Sequence, residues 1–214
     1  SDRHGGAVGD HLDQAVVASW GTFTRELEVL REVPLFRAAK VLGLATTEFI
    51  NGLVVADVFQ ALVAQAEALQ GFEAVQLASR YGVFEGSAAW LLAVDRLGTH
   101  LPNVVSWGVE SGDVSFTRTV GASGWSHLTV DLSLPEGQGE RQLAPGQSKS
   151  TTEVRIATAA SVLVLLGPAR LSSVELKLAR GARLRPQERN TLLVAARRWG
   201  SLEHFSVAGE TVLP

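Results

Sequence analysis

Cysteine and methionine are both missing from this chain, and tyrosine occurs once. Without cysteine there can be no disulfide, no thiolate nucleophile and no thiolate metal ligand. The lack leaves the compartment open, because a cytosolic protein and a disulfide-free exported one share it. Methionine is missing even at position 1. The chain is therefore expected to be a fragment, cut or processed from something longer. No run approaches the roughly 18 apolar residues that a membrane helix needs. The longest apolar stretches, Leu53 to Phe59 and Ser161 to Gly167, are core-sized, so no membrane span is expected. Ser1 to Gly9 is polar and glycine-rich, and it lacks the three regions of a signal peptide.

What is present is an ordinary globular composition. Of 214 residues, 46% are hydrophobic and 19% charged, enough for one large domain or two small ones. The net charge of −3 disfavours non-specific nucleic-acid binding, so no nucleic-acid partner is expected. The charge is unevenly spread. Residues 1–100 carry 7 basic and 12 acidic side chains, a net of −5. Residues 101–214 carry 12 basic and 10 acidic, a net of +2.

The first hundred residues read as helices. Asp10 is a candidate N-cap, and Leu12, Val16, Trp20, Phe23, Leu27 and Leu30 recur at helical steps. Leu35 to Leu42 reads as a short second helix stopped by Gly43. Thr46 or Thr47 would cap a third helix, apolar almost all round from Leu53 to Leu69, as a buried bundle centre would be. Ser87 would cap a fourth, carrying Trp90, Leu91, Val94 and Leu97 and closed by Gly98.

The pattern changes near Pro102. Asn103 to Val109 and Val114 to Val120 are short and β-branched, and Glu110-Ser111-Gly112-Asp113 between them predicts a hairpin. Gly121 to Gly124 turns into a third strand, Trp125 to Leu132. Leu134 to Ser150, rich in Pro, Gly, Gln and Ser, reads as a long exposed loop. Strand-like segments return at Val162 to Leu166 and Val174 to Leu178. Pro186 suits the first position of a last helix ending near Trp199 and Gly200, and Ser201 to Val207 reads as a final edge strand. No internal repeat is legible. The expected class is α+β, with an N-terminal helical region (1–100) followed by an antiparallel sheet with at least one packed C-terminal helix (101–214). The two parts read either as separate domains or as sharing one core.

Few motifs carry chemistry. His4, His11, His100, His127 and His204 show no metal-ligand spacing beyond the loose His4–His11 pair. No metal and no cofactor is expected. Gly146 to Thr151 ends like a phosphate-binding loop but lacks its other glycines. Gly121-Ala122-Ser123-Gly124 resembles a nucleophile elbow only superficially, since its setting is strand to strand. Glu26, Glu28 and Glu32 fall off the apolar stripe of the first helix, which makes them a solvated face.

The basic cluster is the most informative feature. Lys177, Arg180, Arg183, Arg185, Arg189, Arg197 and Arg198 stand together in a window whose one carboxylate is Glu188. Arginine clusters suit phosphates, carboxylates and acidic protein surfaces. The plainer alternative is a solvated connection between strand and helix. The candidate binding residues are Lys177, Arg180, Arg183, Arg185 and Arg189.

The stretch Val104-Val105-Ser106-Trp107-Gly108-Val109-Glu110-Ser111-Gly112-Asp113, with Gly124-Trp125 and then Leu134-Pro135, resembles a pattern in domains of mycobacterial proteins associated with type VII (ESX) secretion. Where that pattern has prolines after the Gly-Trp, this chain has Ser126-His127. The resemblance implies a non-enzymatic interaction or structural module, secreted or envelope-associated rather than cytoplasmic. Its partner would be an acidic protein surface or another secretion-associated protein. The resemblance carries over no catalytic residue. The competing expectation is an enzyme, such as a hydrolase, whose site assembles His100 or His127 with Asp95 or Asp131 from distant positions.

Overall fold

The computed structural model describes residues 15–19, 41–46, 51–67, 69–79, 84–111, 114–123, 125–133, 152–167, 169–198 and 202–213. They form an α+β structure in which one mixed sheet of nine strands runs in strict chain order. The strands are β1 (Ala15–Ser19), β2 (Val41–Thr46), β3 (Ala74–Ser79), β4 (Ser106–Ser111), β5 (Val114–Val120), β6 (Ser126–Asp131), β7 (Leu171–Lys177), β8 (His204–Val207) and β9 (Glu210–Leu213). Four helices alternate with them: α1 (Gly52–Ala64), α2 (Phe84–His100), α3 (Thr152–Leu165) and α4 (Pro186–Ala196).

β1 to β4 are parallel, β4–β5–β6 is an antiparallel meander, β6 to β8 are parallel again, and β9 returns antiparallel beside β8. The expected antiparallel sheet is therefore confined to β4–β6 and β8–β9. The helices serve as crossovers between parallel neighbours and are not segregated in the first half. Right-handed crossovers that always step the same way put every helix on the same side of the sheet. Burial agrees, because α1, α2, α3 and α4 pack side by side and β2, β3 and β5 to β8 bury alternate residues beneath them.

Local chemistry explains each helix. The Asn51 side chain accepts from Leu53 N and Val54 N at 3.0 Å each, capping α1 where Thr46 or Thr47 was expected. Val54, Val55, Val58 and Leu62 then form its buried stripe. Helix α2 begins at Phe84, ahead of the expected Ser87 cap, and carries Glu85 in its first turn, where the helix dipole favours a carboxylate. Pro186 opens α4 as expected.

Several expected elements change type. Val41–Thr46 is a strand where a helix and its Gly43 stop were expected, and Ala15–Ser19 is a strand inside the first expected helix. The rest of that helix, with Asp10, Trp20, Phe23, Leu27 and Leu30, lies outside the described residues, as do Glu26, Glu28, Glu32 and the loop Leu134–Ser150. Val162–Leu166 was expected as a strand, yet it forms the end of helix α3 and the turn after it. A five-residue apolar run has no period long enough to separate the two states. His204–Val207 is a strand but not the edge, because β9 covers it.

The topology repeats where no sequence repeat was legible. β2–α1–β3–α2–β4–β5 and β6–α3–β7–α4–β8–β9 have the same order and directions. The row Leu42, Val75, Trp107 recurs as Leu128, Val174, Phe205. The row Leu44, Leu77, Val109 recurs as Val130, Leu176, Val207. All twelve side chains are buried in one hydrophobic cluster that draws on both sides of residue 101.

Candidate functional site

Two surfaces and one buried cluster hold the candidate residues. The first surface is the basic connection. Strand β7 ends at Lys177, and the chain turns at Ala179–Ala182, closed by Ala182 N to Ala179 O at 2.9 Å. Gly181 stands at φ 81°, the left-handed backbone that the third position of a type II turn requires. This turn delivers Arg183 and Arg185 to the start of α4. Lys177, Arg180, Arg183, Arg185 and Arg189 are all exposed, as are Arg197 and Arg198 beyond the helix. Glu188 is engaged locally: it accepts from the Arg185 backbone N–H at 3.1 Å and lies 3.6 Å from the Arg185 Nε.

The same helix forms one wall of a groove. Between α3 and α4 lies a cleft of about 470 Å³ lined by Ser161 and Val164 on one side and Asn190, Val194 and Arg198 on the other. Val194 is 59% exposed and Val164 37%, and Leu165 and Val154 are exposed on the same helix as Val164. Exposed apolar side chains on two adjacent helices, with an arginine in the lining between them, mark a face that no described residue covers.

The second surface is the sheet face away from the helices. Register places Gly43, Gln76, Gly108, Thr117, Thr129, Glu175 and Ser206 in one row across it. One row over, His127 Nδ1 meets Ser173 Oγ at 2.5 Å, and its Nε2 lies 3.7 Å from Glu175 Oε2. A hydroxyl, an imidazole and a carboxylate in series are the elements of an activated nucleophile. The side chains lie on a sheet whose inner strands have neighbours on both sides, so their backbone N–H groups serve the ladder and not an oxyanion.

The expected carboxylate partners of the histidines are engaged elsewhere. Asp131 accepts from Ser133 N at 2.8 Å and from the Ser133 hydroxyl. Asp95 binds Arg118. His100 lines a separate cavity of about 200 Å³ with Leu69, Leu101 and Val104, and His204 lies on β8 opposite Ser173. Among the described residues, no three His, Asp or Glu side chains converge as a metal site would need. His4, His11 and the Gly146–Thr151 loop lie outside the described residues. Gly121 N donates to Trp125 O at 2.9 Å, so Gly121 joins strand to strand and not strand to helix; Gly124 lies outside the described residues.

The buried cluster centres on Arg118, a residue the sequence reading passed over. It is 1% exposed and sits under α2, between Trp107 and Leu128 in register. Its Nη1 donates to Leu91 O at 2.7 Å, its Nη2 to Asp95 Oδ1 at 2.7 Å, and its Nε to Ser126 Oγ at 2.6 Å. The Ser126 hydroxyl donates in turn to Arg170 O at 2.7 Å. A signal was available: in Val114-Ser115-Phe116-Thr117-Arg118, the arginine falls on the apolar phase of the strand.

Among the described residues these features define a class, a two-layer α+β arrangement with four helices on one face of a mixed sheet. No helix among the described residues is long and apolar enough to cross a membrane. No protein-family model, curated protein or solved structure matches the chain.

Proposed function

We propose that this chain is a non-enzymatic interaction module that binds an acidic surface of another protein through its basic connection. The observation that carries the reading is the run of seven exposed basic side chains from Lys177 to Arg198, whose one carboxylate, Glu188, is occupied with Arg185. Exposed guanidinium groups on a turn and helix favour bidentate contact with carboxylates. With the resemblance to type VII secretion-associated domains, the reading extends to an exported or envelope-associated actinobacterial protein whose partner is another secretion-associated protein.

The test replaces Arg183, Arg185 and Arg189 with Ala together. Glu188 caps the backbone N–H at position 185, and that contact survives the change. Stability is expected to shift by less than about 0.5 kcal/mol, as for surface substitutions generally. Partner binding should fall, and in the unaltered protein it should weaken steeply with salt as screening shortens to roughly 10 Å at 0.1 M. Unchanged binding with unchanged folding would leave the cluster a solvated surface.

A hydrolase is the second reading, favoured by the Ser173–His127–Glu175 series. It predicts ester hydrolysis that Ser173→Ala and His127→Ala each abolish. Equal background rates for all three proteins would remove it.

A further inference from the structure

We propose that the cleft between α3 and α4 receives an amphipathic helix of the partner protein. The helix would seat an apolar ridge on Val164 and Val194 and turn its carboxylates toward Arg198. This rests on the reading of the basic connection as a protein-binding surface, and it names the form and chemistry of what binds there.

Three observations lead to it. The first is shape. Two helices packed side by side leave a channel, and in helix-in-groove recognition the ridge of a third helix fills it. Helix α4 has 11 residues, so the channel is roughly 16 Å long and holds about three turns of a partner helix. The second is composition. The walls present Val164 and Val194 at 37% and 59% exposure, and no acidic side chain lines them. The third is charge. Arg198, just beyond α4, lines the cleft, and Arg189 on α4 and Arg197 after it are exposed.

Charge also selects among occupants. A second copy packed through this face would set Arg198 against a lining that holds no carboxylate to receive it, and such a mismatch opposes that pairing. A bilayer would need a protruding apolar face with aromatic anchors, whereas the apolar residues here line a concavity. An acidic amphipathic helix satisfies both the walls and the rim.

The probe is a labelled synthetic helix of about 18 residues, with Leu at i, i+3, i+4 and i+7 flanked by Glu, titrated with the full chain by fluorescence anisotropy. Its controls are a scrambled peptide and one with Lys in place of Glu. The acidic helix should bind at least about tenfold more tightly than either control. Val194→Glu should weaken it about tenfold while leaving the melting temperature in place, since the side chain is largely exposed. Arg198→Ala should weaken it severalfold and flatten its salt dependence.

Equal binding of acidic and scrambled peptides, or indifference to Val194→Glu, would overturn the proposal. Two further measurements assign the face to another occupant and also overturn it. One is concentration-dependent self-association that Val194→Glu abolishes. The other is binding to phosphatidylserine vesicles that the same change abolishes. The Arg183, Arg185 and Arg189 triple substitution separates this proposal from the reading beneath it. Peptide binding lost with the triple change but kept in Val194→Glu would leave the basic connection as the binding surface and remove the groove. The converse would leave the groove and remove the basic connection.

Discussion

Arg118 on β5 holds Asp95 on α2 across the sheet–helix interface, with Nη2 and Oδ1 2.7 Å apart. The guanidinium is buried and the carboxylate is 33% exposed, so the pair sits at the margin of the core. One side chain thereby ties together the last turns of α2, the start of β6 through Ser126, and the segment ahead of β7 through Arg170. It lies at the joint between the two repeated halves of the sheet. In the second half Leu213 holds the corresponding position, opposite Phe205 as Arg118 is opposite Trp107.

The first prediction follows from that geometry. Arg118→Ala leaves Asp95 without its guanidinium and opens a void beneath α2. It should cost about 3 kcal/mol, in the range for breaking a buried pair by removing one partner. At roughly 2–4 °C per kcal/mol for a chain this size, the melting temperature should drop by about 10 °C. Asp95→Ala leaves the buried guanidinium without its counter-charge but keeps its bonds to Leu91 O, Ser126 Oγ and Arg170 O and opens no large void, so it should cost less, about 2 kcal/mol. Differential scanning calorimetry on both variants checks the order; equal or reversed costs would contradict this account.

The second prediction concerns the β8–β9 turn. Ala208 stands at φ 51° and Gly209 at φ 85°, the two left-handed positions of a type I′ hairpin. Alanine is strained there, whereas asparagine tolerates it. Ala208→Asn should stabilise the protein by about 0.5–1 kcal/mol, and Gly209→Ala should destabilise it by about 1 kcal/mol. Urea midpoints with an unchanged slope would report both effects, and a destabilised Ala208→Asn would refute the turn assignment.

The third prediction uses the tryptophans. Trp90 and Trp107 pack edge to face with centroids 5.9 Å apart, and Trp90 Nε1 donates to Gly108 O at 2.8 Å. Trp90→Phe removes that donor and should cost about 1–3 kcal/mol. It should also collapse the near-ultraviolet dichroism of the pair. Trp125, 46% exposed, should be open to iodide, so Trp125→Phe should remove quenchable emission while Trp107→Phe should not. The reverse pattern would place the wrong ring in the core.

Much of the architecture was legible in local chemistry. The alternation in β5 and β6, the turn residues between them, the apolar stripe of α1 and the proline that opens α4 all act over a few neighbouring residues. The basic character of Lys177–Arg198 is likewise a property of order alone. What the sequence by itself determined, then, is the mixed class, the central meander, three of the four helices and the absence of thiol chemistry. The tertiary structure decided the rest. Val41–Thr46 and Ala74–Ser79 carry small or mixed residues with no decisive period, and they become strands because parallel neighbours on both sides supply their hydrogen bonds. The halves repeat only in which positions are buried, so the duplication appears only once register aligns Leu42 with Leu128 and Trp107 with Phe205. The partners of Arg118 lie 8 to 52 residues away along the chain, and the walls of the α3–α4 groove come from two helices separated by a strand. Such meetings depend on how the sheet orders its crossovers, a long-range outcome that no local window contains.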